Sequence, residues 1–202
     1  MKEIVIASHN DGKVEEIRGL LKKYKFKIFS LKKFSHIEPK ENGKTFIENS
    51  VIKAVNALKI TGLPSISDDS GLCIPALNND PGIYSARWAG KGKNFDLASK
   101  KIEKKLFEKY RNKQRLFKAF FCCALTIALP DGTIKSFEGK VFGTLSFPPK
   151  GKNGFGYDPI FIPKGYKKTF GELTSDEKNN ISMRAIAFKK FKKHFLLNPK
   201  KK

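Results

Sequence analysis

The sequence predicts a mixed α/β fold in two lobes, and three observations carry that prediction. Short apolar runs alternate with amphipathic helical stretches over the first third of the chain. Two long β-rich runs further on are joined by Pro130-Asp131-Gly132, a strong hairpin signal. No repeat or low-complexity linker divides the 202 residues. Helices between strands permit parallel neighbours, whereas a hairpin makes antiparallel ones, so the sheet is expected to be mixed rather than doubly wound and parallel. Two lobes with a cleft between them follow naturally. We expect one domain over residues 1–197, with 198–202 a frayed basic tail.

The elements follow in order. Glu3-Ile4-Val5-Ile6-Ala7 is a short apolar strand, and Ser8 to Gly12 a turn. A helix then carries Val14, Ile17, Leu20, Leu21 and Tyr24 along one face. Thr45-Phe46-Ile47-Glu48 opens a second helix as a capping box, Thr45 and Glu48 satisfying each other's amides. Its apolar stripe is Ile47, Val51, Ala54, Val55 and Leu58, with Asn49, Lys53 and Asn56 opposite, and Gly62-Leu63-Pro64 ends it. Ser65 to Asp68 reads as a strand that stops in two acids. A third helix, about Asn94 to Tyr110, turns Phe95, Ala98, Ile102, Leu106 and Tyr110 inward. Lys118–Leu129 and Thr133–Phe142 form the hairpin. A last helix begins at the capping box Thr174 to Glu177 and buries Ile181, Ala185, Phe188 and Phe195.

The net charge of +22 suggests nucleic acid at first sight, but its makeup argues against base readout. Only five of the 41 basic residues are arginine, the side chain whose planar fork matches phosphates and base edges. Abundant lysine beside abundant Phe, Asn and Ile matches an AT-rich coding composition, so no specific nucleic-acid partner is expected. The three cysteines, Cys73, Cys122 and Cys123, lack metal-ligand spacing and sit among apolar residues. Reduced core thiols and a cytoplasmic location follow. The apolar opening is too short for a signal peptide, and the longest apolar stretch, Ala119 to Leu129, is about half a membrane span.

Four segments can carry chemistry. In Ser8-His9-Asn10-Asp11-Gly12-Lys13, amides at a helix start next to a lysine suit an anion, although a plain N-cap by Asn10 or Asp11 fits equally. In Ser67-Asp68-Asp69-Ser70-Gly71, two adjacent carboxylates repel unless a cation intervenes or one is protonated. A hard cation such as Mg²⁺ takes carboxylate oxygens, water and substrate phosphates, and an Asx-turn is the plainer alternative. Gly154-Phe155-Gly156-Tyr157-Asp158-Pro159 puts two aromatics on a glycine loop. Exposed rings there suit stacking on a heteroaromatic base whose edge Asp158 can read, and a hairpin with core aromatics is the alternative. Lys178, Ser182 and Arg184 close the set; Lys178 and Ser182 share a face near a helix start, where a solvated basic face is the plainer reading.

Taken in order, these segments resemble a known family. Ser8-x-Asn10-x-x-Lys13, Thr45-Phe46-x-Glu48-Asn49 with Lys53-Ala54, Ser67 to Leu72, Pro81 to Arg87, Gly154 to Pro159 and Glu177-Lys178-x-x-Ile181-Ser182-x-Arg184 are similar to the motifs of the inosine/xanthosine triphosphate pyrophosphatases, the Ham1-like family. The resemblance implies hydrolysis of ITP, dITP and XTP to monophosphate and pyrophosphate. It also implies a Mg²⁺-dependent homodimer and an elongated two-lobed α/β domain with a central substrate cleft. Position by position, it implies that Ser8, Asn10, Lys13 and Lys53 hold the phosphates, with His9, Asp11 and Gly12 in the same loop. Glu41 and Asp69 would hold Mg²⁺, Asp68 would support them, and Asp69 would be the proton acceptor. Ser70 would touch the substrate, Phe155 would stack on the purine, and Gly156, Tyr157, Asp158, Lys178, Met183 and Arg184 would line the base pocket, Arg184 and amides near Asp158 donating to O6. Met183 stands where the family has histidine, and methionine donates no hydrogen bond to a base, so base discrimination is expected to be weaker here. Two alternatives remain at this point: a single-strand-binding module stacking bases on Phe155 and Tyr157, and a Maf-like pyrophosphatase for modified pyrimidine nucleotides.

Overall fold

The computed structural model describes residues 2–111 and 116–196. The expected basic tail, 198–202, lies outside the described residues. Six strands form one mixed sheet in the order β2-β1-β3-β4-β5-β6. These are β1 (Lys2–Ile6), β2 (Phe26–Ser30), β3 (Ser65–Cys73), β4 (Lys118–Ala128), β5 (Ile134–Leu145) and β6 (Phe161–Pro163). The helices are α1 (Asp11–Leu21), α2 (Phe46–Thr61), α3 (Ser85–Trp88), α4 (Phe95–Tyr110), α5 (Ser175–Ile181) and α6 (Met183–Phe191). β1 pairs parallel with both β2 and β3, and β5 pairs antiparallel with β6. The mixed sheet expected from helices at the front and a hairpin behind is therefore present. No helix among the described residues is long and apolar enough to cross a membrane.

The chain divides into two compact units. Among the described residues the first holds 2–69, 123–139 and 183–196; the second holds 70–111, 116–122 and 140–182. In the first, Val5, Ala7, Leu31 and Ala57 pack with Phe29 and Leu63 into an apolar cluster. A ladder of hydroxyls ties β3 to α2: Ser67 Oγ donates to the Ser50 carbonyl at 2.5 Å, and Ser50 Oγ meets Thr126 Oγ1 on β4. This fixes the register of the strand immediately before Asp68. In the second unit, Phe121, Phe161 and Phe170 form an aromatic core with centroid separations of 4.8 to 6.0 Å.

Four local expectations are corrected. β3 does not stop at Asp68 but continues to Cys73, so the acids sit in mid-strand. The Thr45–Glu48 capping box is half made: Thr45 Oγ1 accepts from Glu48 N, whereas the Glu48 carboxylate takes the Lys44 amide. The face of α2 is rotated, with Asn49, Ser50, Ala54 and Ala57 buried and Ile47 exposed, because the hydroxyl ladder draws the polar residues under the helix. The last helix is two, broken where Ser182 adopts ψ 158°, and Phe195 is only half-buried in a terminal π-helical turn, Lys192–Leu196. The Asn94 start, the Gly62 stop and the Thr174–Glu177 capping box are as expected.

Candidate active site

Side chains alternate along a strand, so Asp68 and Asp69 leave β3 on opposite faces. Each meets its own cation. The expectation of one cation between two repelling carboxylates gives way to this arrangement.

Asp68 is fully buried. Its Oδ1 lies 2.7 Å from Lys13 Nζ on α1, and its Oδ2 accepts from Arg184 Nε on α6 at 3.0 Å and from Cys123 Sγ on β4 at 2.8 Å. Burial drives the carboxyl up, but Arg184 and Lys13 more than offset it and hold Asp68 well below the usual carboxylate range. Arg184, at 0% exposure, also pairs through Nη1 with Glu16. Burial and then Asp68 push the Cys123 thiol well up, so it stays a protonated donor. All three cysteines are buried thiols.

Asp69 belongs to a second group. Lys53 Nζ on α2 stands 2.8 Å from Asp69 Oδ1 and 2.7 Å from Glu41 Oε1. Desolvation would lower the ammonium pKa, yet Asp69 and Glu41 outweigh it and raise the value. Asp69 itself is pushed up by burial, against the pull of Lys53 and Lys13. Its Oδ2 is buried with no hydrogen-bond partner among the described residues. A buried acceptor left unmet costs about 1–3 kcal/mol, a cost that a cation on that oxygen would remove.

That orphaned oxygen is the test of a metal. Two carboxylates on one ammonium leave a net negative charge and hard oxygen donors. No group of three or more His, Cys, Asp or Glu among the described residues can hold a metal ion. Mg²⁺ needs only one or two carboxylates when phosphates and water complete its octahedron, so Glu41 and Asp69 fit it.

The opening loop is largely self-satisfied. Asn10 is the N-cap of α1, its Oδ1 accepting from Lys13 N at 3.1 Å, and Ser8 Oγ accepts from Asn10 N. His9 Nε2 donates to the Ser35 carbonyl at 2.8 Å, and exposed Asp11 meets Lys32. Gly12 lies in the first turn of α1, and Lys13 beside it reaches Asp68. Ser70 follows Asp69 on β3, half-buried.

The second unit holds a separate constellation. Asp158 Oδ2 accepts from Phe155 N at 2.8 Å and lies 2.5 Å from Lys178 Nζ, and the same ammonium sits 4.7 Å from the Phe155 ring centroid. Lys178 is 4% exposed, so the solvated basic face does not form. A Cβ on Gly154, at φ +73°, would sit 2.1 Å from Asp158 Oδ2, so the loop closes over the acid only as glycine. The loop's two aromatics differ. Phe155 is half-buried, whereas Tyr157 is 2% exposed, packs edge-on to Phe95 and donates its hydroxyl to the Ser85 carbonyl. The expected pair of exposed rings is therefore one ring, which leaves single-strand stacking without its second platform. Gly156, at φ +70°, makes the turn between them. Met183 opens α6, 4% exposed.

Glu16 and Cys123 are not among the expected site residues, and Asn49 and Ser85 stand in family-like motifs without a role of their own. Glu16 is one turn after Lys13 on α1, and that spacing alone could have suggested it.

The central strand of a mixed α/β sheet thus presents two buried acids, each to its own lysine. The chain belongs to the Ham1 family, whose sequence model matches residues 4–194. It is 46% identical over 201 residues to the dITP/XTP pyrophosphatase of Brucella melitensis, covering 94% of this chain and 91% of that protein. The Caulobacter vibrioides dITP/XTP pyrophosphatase is 47% identical over 190 residues, with 94% and 96% covered. Among solved structures, a HAM1 protein from Coxiella burnetii superposes with a TM-score of 0.86 at 38% identity, covering 98% of this chain and all of that one.

Proposed function

We propose that this chain hydrolyses the purine nucleoside triphosphates ITP, dITP and XTP to the monophosphate and pyrophosphate, removing them from the nucleotide pool. The observation that carries this reading is the Glu41–Lys53–Asp69 group with its unmet buried oxygen, in a Ham1-family chain. Glu41 and Asp69 would hold Mg²⁺, which supplies charge stabilisation to the triphosphate when bound.

The chain's own residues do the rest. Lys13 and Lys53 meet phosphate oxygens, where negative charge spreads during transfer. Water attacks the α-phosphorus, the bond to the bridging oxygen breaks, and its electron pair leaves with pyrophosphate. The water's proton goes to Asp69, the buried acid of the Glu41–Lys53–Asp69 group. Asp68 is pinned by Lys13, Arg184 and Cys123 and holds Lys13 in place. Arg184 is thereby a positioning residue for Asp68 rather than a base contact. For the base, Phe155 takes the purine face, while Lys178 and the amides near Asp158 donate to O6, a pattern that adenine's amino group opposes. A homodimer and a cytoplasmic location belong to the same reading; light scattering checks the first.

The test is a panel of ITP, dITP, XTP, GTP, ATP and modified pyrimidine triphosphates, with and without Mg²⁺, read by pyrophosphate release. ITP and XTP are expected to lead and to need the metal, and Asp69→Asn to lose turnover while keeping the fold. No pyrophosphate from ITP or XTP with Mg²⁺ present sinks the proposal, and an active Asp69→Asn removes Asp69 from the chemical step.

A further inference from the structure

Glu41 lies in a segment, residues 34–45, with no helix or strand after its first turn, yet its carboxylate sits 2.7 Å from Lys53. Something must hold this segment. Three contacts from α2 do so in reverse order along the chain. Glu41 meets Lys53, the Gly43 amide donates to Asn49 Oδ1 at 2.9 Å, and the Lys44 amide donates to Glu48 Oε2 at 2.7 Å. The middle contact ends on a fully buried side chain: Asn49 is 0% exposed. Asn49 and Lys53 are four residues apart and share one helix face, so the side chain that fixes the loop and the one that meets Glu41 stand together.

Two further facts mark Asn49 as more than packing. Its Nδ2 is buried without a hydrogen-bond partner among the described residues, an unfavourable feature that an apolar side chain would avoid. Gly43 is fitted closely to it: a Cβ there would come within 2.7 Å of Asn49 Oδ1 and 2.9 Å of the Asn49 amide nitrogen. Only a residue without a side chain lets the loop backbone approach the amide.

We propose that Asn49, acting through the Gly43 amide, is the positioning residue that sets the Glu41 carboxylate for metal binding. It touches neither substrate nor metal. This rests on the reading of Glu41 as a metal-holding carboxylate, and partners that orient a metal ligand typically change metal affinity about 10–100-fold when removed.

The experiment measures Mn²⁺ binding by electron paramagnetic resonance, with an ITP analogue whose α–β bridge cannot be cleaved, alongside the half-activating Mg²⁺ concentration for ITP turnover. Asn49→Ala and Gly43→Ala are each expected to weaken metal binding roughly tenfold, with kcat at saturating metal little changed. The double variant is expected to be no worse than the worse single, because both break one contact. Thermal melts show that each variant is folded, and Gly43→Ala carries the test if Asn49→Ala is not. Parental metal binding in the folded variants, or fully additive losses in the double, overturns the proposal. Glu41→Gln separates the two layers: if it binds Mn²⁺ like the parent, the reading of Glu41 fails, whereas a weakened Glu41→Gln beside an unaffected Asn49→Ala defeats the positioning role alone.

Discussion

Arg184 donates from Nε to Oδ2 of Asp68 at 3.0 Å, and neither side chain is exposed to solvent. Removing Arg184 takes from buried Asp68 one of its two cations, a loss short of the about 3–5 kcal/mol typical of a buried charge left wholly uncompensated, because Lys13 and Cys123 still meet the carboxylate. Arg184→Ala is therefore expected to lower the urea midpoint sharply, with lost activity following lost fold. An Arg184→Ala variant as stable as the parent, with only the base preference altered, would return Arg184 to the base pocket.

The aromatics of the glycine loop separate in the same manner. Phe155→Ala is expected to reduce kcat/KM for ITP by about one to two orders of magnitude, matching a stacking contribution of roughly 1–3 kcal/mol. Tyr157→Phe removes only the hydrogen bond to the Ser85 carbonyl, so it should lower stability by about 1 kcal/mol and leave kinetics alone. Steady-state rates and urea melts on both variants check this, and a kinetic defect confined to Tyr157→Phe would reverse the assignment.

At position 183, methionine supplies no hydrogen bond to a base. Met183→His is expected to raise the ratio of kcat/KM for ITP over GTP, and the buried setting implies some loss of stability with it. Equal ratios in variant and parent would show that discrimination lies elsewhere.

A pH prediction follows from α5. Glu177 accepts from the Thr174 amide and hydroxyl, and the amide bond is the main cause that holds its pKa below 4.5. Because the folded value lies below the unfolded one, the contribution is present above about pH 4.5 and disappears as pH falls through the folded value. Glu177→Gln should be less stable than the parent at pH 6, with the gap closing on acidification. A gap that is the same at pH 6 and pH 3 would show that charge plays no part.

Much of the framework was legible because local rules agreed with the final packing. The hairpin at Pro130-Asp131-Gly132 and the caps at Asn94 and Thr174 depend on neighbours within four residues, which pattern can read. The face of α2 was misread because Ser50, Thr126 and Ser67 form a hydroxyl ladder across distant segments, inverting the polarity rule for that helix. The acids were misread for a related reason. Adjacent in sequence, they form one charged spot to local pattern, although strand alternation sends them to different cations. Glu41 carries no local signal at all; its place beside Lys53 depends on a loop held by Asn49 and Glu48 from α2.

The lysines that matter are the sheltered ones. Lys13, Lys53 and Lys178 retain only 15%, 13% and 5% side-chain exposure, each with its ammonium on a carboxylate. Amine-reactive labelling under native conditions would therefore consume the outer lysines first and leave these three to the end. The labelling order would thus separate the three carboxylate-paired amines from the outer lysines that make up most of the +22 charge.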